Sequence, residues 1–197
     1  MLPKVIFFFI KARIFLFLLF IFSACSSPLR VLDYWTSSDF KEYQGMKFLV
    51  ICNTDNPNNR IEFESQIVNS LGKINIHAYG SHKAFPSLIP IESIEEIYKN
   101  RNIIKNSQYT GIIFTSVKNK IESYKAGEQT PEWTLEPDTL ALSTTYVLEA
   151  LILDLDRAVE DELVGVNLVA VTDPESAESL YNAYGKIVMR HFKQTRR

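Results

Sequence analysis

The chain is poor in cysteine and glycine and has no surplus of positive charge. Its two cysteines, Cys25 and Cys52, make no Cys-x-x-Cys pair, so a redox motif of that spacing is excluded. Seven scattered glycines supply no Gly-x-Gly-x-x-Gly loop, no Walker segment and no Gly-x-Ser-x-Gly elbow. Three histidines, His77, His82 and His191, never fall three or four residues apart, so no helix offers a paired-histidine metal edge. Nucleic acid is excluded as a partner by charge. The net value is −2, and Lys4, Lys11 and Arg13 lie in an apolar leader without acids, so the remainder is more acidic still. No internal repeat or low-complexity segment occurs. With 46% apolar and 22% charged residues, the 197-residue chain has the composition of one ordinary globular domain behind an apolar leader.

That leader is the most informative segment. Three basic residues precede the apolar run 14–22, which gives way to Ser23, Ala24 and Cys25. Nine helical residues extend only about 14 Å, whereas a stable membrane span needs roughly 20 apolar residues, so a cleaved secretory signal is expected over residues 1–24. Phe22-Ser23-Ala24-Cys25 resembles the lipobox of bacterial lipoproteins, which implies lipid attachment at Cys25. Ser26 and Ser27 lack the aspartate that retains such proteins at the inner membrane, and an outer-membrane anchor with the domain in the periplasm is therefore implied. Residues 25–46 are polar and aromatic without clear periodicity and are expected to form a lipidated tether, reaching about 70 Å if extended.

A single α/β domain is expected over 47–197. The apolar run Phe48–Cys52 has the character of a strand covered on both faces. Within it, Cys52 is expected to be a buried, slowly reacting thiol. Asp55, Asn56 and Pro57 then offer a helix start, and Ile61, Phe63, Ile67, Val68 and Leu71 recur at helical spacing up to Gly72. Ile74, Ile76 and Ala78 alternate as a second strand. Ser93 and Glu96 have capping-box spacing ahead of a second helix, and Tyr109–Val117 forms a third strand. These strand-helix-strand units imply parallel pairing. Residues 118–138, polar and punctuated by Gly127, Pro131 and Pro137, suggest a long loop. Thr144–Leu155 and Leu163–Thr172 suggest an antiparallel hairpin, and Asp173-Pro174-Glu175 the cap of a last helix. The expected order is β-α-β-α-β-β-β-α in a mixed sheet, parallel in its first half and antiparallel in its second.

This order resembles small periplasmic lipoproteins of unknown function, and through them the amino-terminal domain of the Tol-Pal translocation protein. The resemblance is carried by Lys47-Phe-Leu-Val-Ile, by Arg60-x-x-Phe-Glu64, by Tyr79 to Pro86 and by Tyr146 to Asp154. It implies a partner-binding module and supplies no catalytic motif.

The residues themselves leave two classes of function open. One is a lipid-anchored binding or envelope-assembly module without catalysis, cofactor or metal, whose partners are the membrane and another envelope protein. Tyr124 and Trp133, in the 118–138 segment, are its candidate contacts, since an exposed tryptophan contributes about 2 kcal/mol or more at an interface. The alternative is a small-ligand sensor or hydrolase using the 53–60 loop. There Asp55 and Arg60 form the candidate rim, because carboxyl ends of parallel strands and helix amino termini favour ligands. Glu62 and Glu64 are explained by the helix dipole, and Glu149, on the side of Val147, Leu151 and Leu153, by a structural hydrogen bond or a pair with an arginine. Mass spectrometry of native protein checks the anchor: the mature chain is expected to begin at an acylated Cys25, and an unmodified Cys25 or an intact Met1 contradicts it.

Overall fold

The computed structural model describes residues 29–194 except 39, 41, 42, 44, 55, 86–90, 92 and 126–140. Cys25, Asp55 and Trp133 lie outside the described residues, and Tyr124 is described only as backbone. The elements are β1 (Leu29–Thr36), β2 (Lys47–Asn53), α1 (Pro57–Gly72), β3 (His77–Gly80), the one-turn α2 (Ser81–Ala84), α3 (Ile94–Asn106), β4 (Gly111–Lys125), β5 (Ala141–Asp154), β6 (Leu163–Thr172) and α4 (Ala177–Gln194). They build one mixed sheet of six strands in the order β1-β6-β5-β4-β2-β3. β2 runs parallel to β3 and β4, while β4-β5, β5-β6 and β1-β6 are antiparallel.

Two apolar layers explain the continuous hydrophobic run of β2. Phe48 and Val50 point to the layer where Phe63 and Ile67 of α1 and Tyr184, Val188 and Phe192 of α4 are buried with Ile113, Leu148 and Ile152. Leu49 and Ile51 point the other way, toward Ile97 and Ile104 of α3, Ile112, Phe114 and Leu153. Local signals start the helices where expected: Asn56 caps α1 by accepting from the backbone of Asn58 and Asn59, and Ser93 caps α3 by accepting from Glu96.

The structure departs from the sequence reading in five places. The second strand, expected from Ile74, begins only at His77, because residues 73–75 form the turn that ends α1, with Asn75 at φ 59° and Ile74 and Ile76 both bonded to Leu71 O. Residues 29–36, expected in the tether, form β1 on the edge beside β6. A bulge between Val31 and Asp33 breaks the period-two alternation that would have marked this strand. Residues 118–125, read as loop, continue β4 beyond a second bulge between Val117 and Asn119 and pair with β5 as far as Lys125 and Ala141. Past the ends of its neighbours this ribbon is wet on both faces, so its composition is polar. α2 was not anticipated. Finally, α4 is started by Ser176 and Ser179, which exchange side-chain to backbone hydrogen bonds, and not by the Asp173-Pro174-Glu175 cap. Asp173 instead adopts φ 47° and accepts from Thr144 N at 2.8 Å and Ser143 Oγ at 3.0 Å.

The edge strand is fastened by His191. Its Nδ1 donates to Asn167 Oδ1 at 3.0 Å, and its Nε2 accepts from Thr36 Oγ1 at 3.2 Å, the arrangement of a neutral imidazole. Tyr34 lies against the ring, with centroids 4.8 Å apart. Below it sits Gly165, where a Cβ would come within 2.7 Å of the imidazole. Between β1 and β2, Phe40 and Tyr43 pack on Phe192, whose carbonyl accepts from the Tyr43 hydroxyl.

Burial depresses the His191 pKa from 6.5 to about 4. Between those values the unfolded chain holds more protons than the folded one, so stability is full above pH 6.5 and falls as pH drops toward 4, by about 3 kcal/mol over the whole window. Urea unfolding of wild type and His191→Gln at pH 7 and pH 4.5 is expected to show this slope in wild type and a much smaller one in the variant. Equal slopes contradict the assignment.

Candidate functional site

The site lies at the carboxyl ends of the parallel strands. β2 is flanked by β3 on one side and β4 on the other. α1 follows β2 on one face of the sheet, and α3 follows β3 on the opposite face. Crossovers leaving in opposite directions open a crevice beyond the strand ends, the usual place for a ligand in such sheets. At this end of the sheet, on the face covered by α1 and α4, lies a cavity of about 610 Å³, within the range of small-molecule pockets. Thr54 reaches it from the β2-α1 connection, Asn59 from the first turn of α1, and Val117, Leu142, Thr144 and Tyr146 from the β4-β5 ribbon. Asp173, Ser176, Leu180 and Tyr181 close it from the start of α4.

Its lining is neutral apart from Asp173, whose carboxylate already accepts from Thr144 and Ser143. Burial, followed by the electrostatic influence of Cys52, pushes the Tyr181 pKa up, so its phenol stays protonated and able to donate. No histidine, cysteine, lysine or arginine is among the described lining residues. Hydroxyl and amide groups over an apolar, tyrosine-bearing floor suit a neutral polar ligand or a segment of another chain, while a phosphate would find no cation.

Arg60 does not face this cavity as a free cation. Its Nε donates to Glu64 Oε1 at 3.1 Å and its Nη2 to Ser81 Oγ at 2.6 Å. Glu64 is fully buried and is the hub of the region. Its carboxylate also accepts from Cys52 N at 3.1 Å, Ser81 Oγ at 2.5 Å, His82 N at 3.0 Å and His82 Nδ1 at 2.6 Å. Gly80 makes room for this closure, since a Cβ there would lie 2.6 Å from the His82 ring and 3.1 Å from Glu64 Oε2. Ser81 and His82 both bond to Glu64, and no hydrogen bond between Ser81 and His82 is seen. The serine is therefore held by a carboxylate and a guanidinium, without the base relay of a nucleophilic triad.

The sequence reading missed this cluster by assigning Glu64 to the helix dipole. Two signals were available: the i,i+4 spacing of Arg60 and Glu64, and Gly80-Ser81-His82 directly after the second strand. Cys52 is buried with its thiol pKa pushed up to about 12 by that burial, which suits the inert role expected of it. Glu149 pairs with Lys118 at 2.8 Å. His77 is exposed on β3, far in topology from His191, and no group of three potential metal ligands occurs among the described residues.

Glu64→Ala would leave Arg60 largely buried without its carboxylate and strip acceptors from Ser81 and His82. A loss of about 3 to 5 kcal/mol in urea unfolding is expected. A change below 1 kcal/mol would show that the cluster does not hold this end of the sheet together.

No family model matches the chain, and no curated protein matches it. Among solved structures it is similar to the PelC dodecamer from Paraburkholderia phytofirmans, with 11% identity, a TM-score of 0.47, and coverage of 83% of this chain and 96% of that one. It is also similar to the lipoprotein GNA1162 from Neisseria meningitidis, with 12% identity, a TM-score of 0.42 and coverage of 76% and 99%. A third similar structure is the hypothetical protein CT253 from Chlamydia trachomatis, at 10% identity, TM-score 0.31 and coverage of 76% and 93%.

Proposed function

We propose that this protein is a lipid-anchored envelope module, attached to the outer membrane through Cys25 with its domain in the periplasm. It binds a partner or ligand at the carboxyl end of its sheet and performs no catalysis of its own. The observation that carries the binding reading is the 610 Å³ cavity, open at the strand ends and lined by hydroxyl, amide and tyrosine groups. The signal-like leader and the Phe22-Ser23-Ala24-Cys25 segment support the anchor. Among the described residues no helix is long and apolar enough to cross a membrane.

The sensor reading has one observation in its favour: Thr54 and Asn59, from the 53–60 loop, open directly onto the cavity. Both readings therefore use the same space and differ in what fills it. The Trp133 contact belongs to the partner reading.

Photocrosslinking in cells separates these outcomes. A benzophenone side chain at Asn59 is expected to trap an envelope protein, and Ala177→Trp, which fills the cavity from the exposed first turn of α4, is expected to abolish the adduct. Trp133→Ala tests the loop contact in the same assay. An adduct heavier by only a few hundred daltons, as judged against typical ligand size, supports the sensor. Undiminished adducts with Ala177→Trp remove the cavity from either account.

A further inference from the structure

The direction of β1 and the length of chain before it bear on how the domain meets the membrane. β1 starts at the end of the sheet where β2, β4 and β6 finish, because it runs antiparallel to β6. Its first residue, Leu29, is level with Val171, which is level with Tyr146, which in turn pairs with Lys120. Only residues 26–28 separate Leu29 from Cys25, so the cysteine lies at most about 14 Å from the sheet. From the level of Lys120 and Tyr146, the β4-β5 ribbon continues to Lys125 and Ala141. Those five residues project about 17 Å beyond Leu29, in the direction from which the anchor must come. The tether is thus no longer than the ribbon it starts beside.

We propose that the ribbon end of the sheet rests on the lipid bilayer that receives the Cys25 acyl chains. This rests on the anchor reading above and adds an orientation to it. With so short a tether, acyl chains in the hydrocarbon bring the ribbon to the headgroup layer. The side chains suit that contact. Val117, Ile121 and Leu142 are 47%, 47% and 54% exposed, and the register puts Leu142 on the face of Tyr146 and Ile121 on the other, so both faces of the ribbon carry apolar groups. Lys118, paired with Glu149 at 2.8 Å, and Lys120, paired with Glu122 at 2.6 Å, stand beside them half exposed, with aliphatic stems long enough to reach a headgroup layer. The opposite end of the sheet, where β5 turns into β6, presents exposed Asp156, Glu160 and Asp161, a surface repelled by anionic lipid.

The test uses the acylated full chain on vesicles of phosphatidylethanolamine and phosphatidylglycerol. A nitroxide is attached at Leu142→Cys or at Glu160→Cys, both exposed sites, while buried Cys52 with its raised pKa stays unlabelled. On vesicles the Leu142 label is expected to lose about threefold in collisions with a water-soluble nickel chelate and to gain collisions with oxygen, with the Glu160 label unchanged. Inserting about twelve Gly/Ser residues after Ser27 is expected to reverse the protection while keeping the protein on the vesicles. Equal nickel access at the two labels overturns the orientation while leaving the anchor intact, and protection that survives the insertion overturns the tether as its cause. A mass lacking acyl groups at Cys25 overturns the anchor reading itself, and the orientation with it.

Discussion

A single buried carboxylate sets the geometry at the working end of this domain. Glu64 projects from α1 into the angle between β2 and β3 and draws donors from three separate segments: Cys52 at the end of β2, Arg60 one turn earlier in its own helix, and Ser81 and His82 just beyond β3. Removing such a group from water is unfavourable unless nearly every lone pair finds a donor, and here they do. The β2-α1 connection with Thr54 and the first turn of α1 with Asn59 are thereby held against the sheet, which fixes one wall of the cavity.

A second fully buried carboxylate organises the opposite end. Glu162 pairs with Arg101 of α3, whose guanidinium also donates to the carbonyls of Leu155 at 2.8 Å and Arg157 at 3.0 Å, with Lys105 adding a bond to Leu155 at 3.0 Å. This satisfies backbone acceptors in the β5-β6 turn and fixes α3 across its face of the sheet. Between these two polar clamps the apolar layers fill both faces of the sheet, which is why Phe48–Cys52 of β2 and Ile112–Phe114 of β4 read as unbroken apolar runs.

That pattern also explains what was legible in the sequence. Elements buried on two faces or amphipathic at helical spacing, such as Phe48–Cys52, the Phe63–Ile67–Leu71 stripe and the β5-β6 hairpin, were visible because burial dictates their composition. β1 was not, because its bulge shifts the alternation midway and most of its side chains are exposed. The outer half of β4 was hidden for a related reason: beyond Val117 the ribbon outruns first β2 and then β6, so no core imposes a period-two burial pattern on it. The cavity was partly legible, since Thr54 and Asn59 belong to the loop singled out after β2. Its other walls come from Val117, from Leu142, Thr144 and Tyr146, and from the start of α4, and only the sheet register brings these together. Arg60 was placed on the correct loop and assigned the wrong environment, because its partner lies four residues away on the buried side of the helix.

The pairing of β1 has a consequence for the order in which the domain assembles. Leu29 meets Val171 and Thr36 meets Gly165, so the first strand of the sheet can pair only after nearly the whole of the domain has been added to the chain. Loops of this length close slowly compared with the local α1-β3 and β5-β6 contacts, and until closure β6 remains an open edge. β1 is therefore still unpaired while the rest of the chain arrives, and the bond between His191 and Thr36 forms only once β1 has docked on β6.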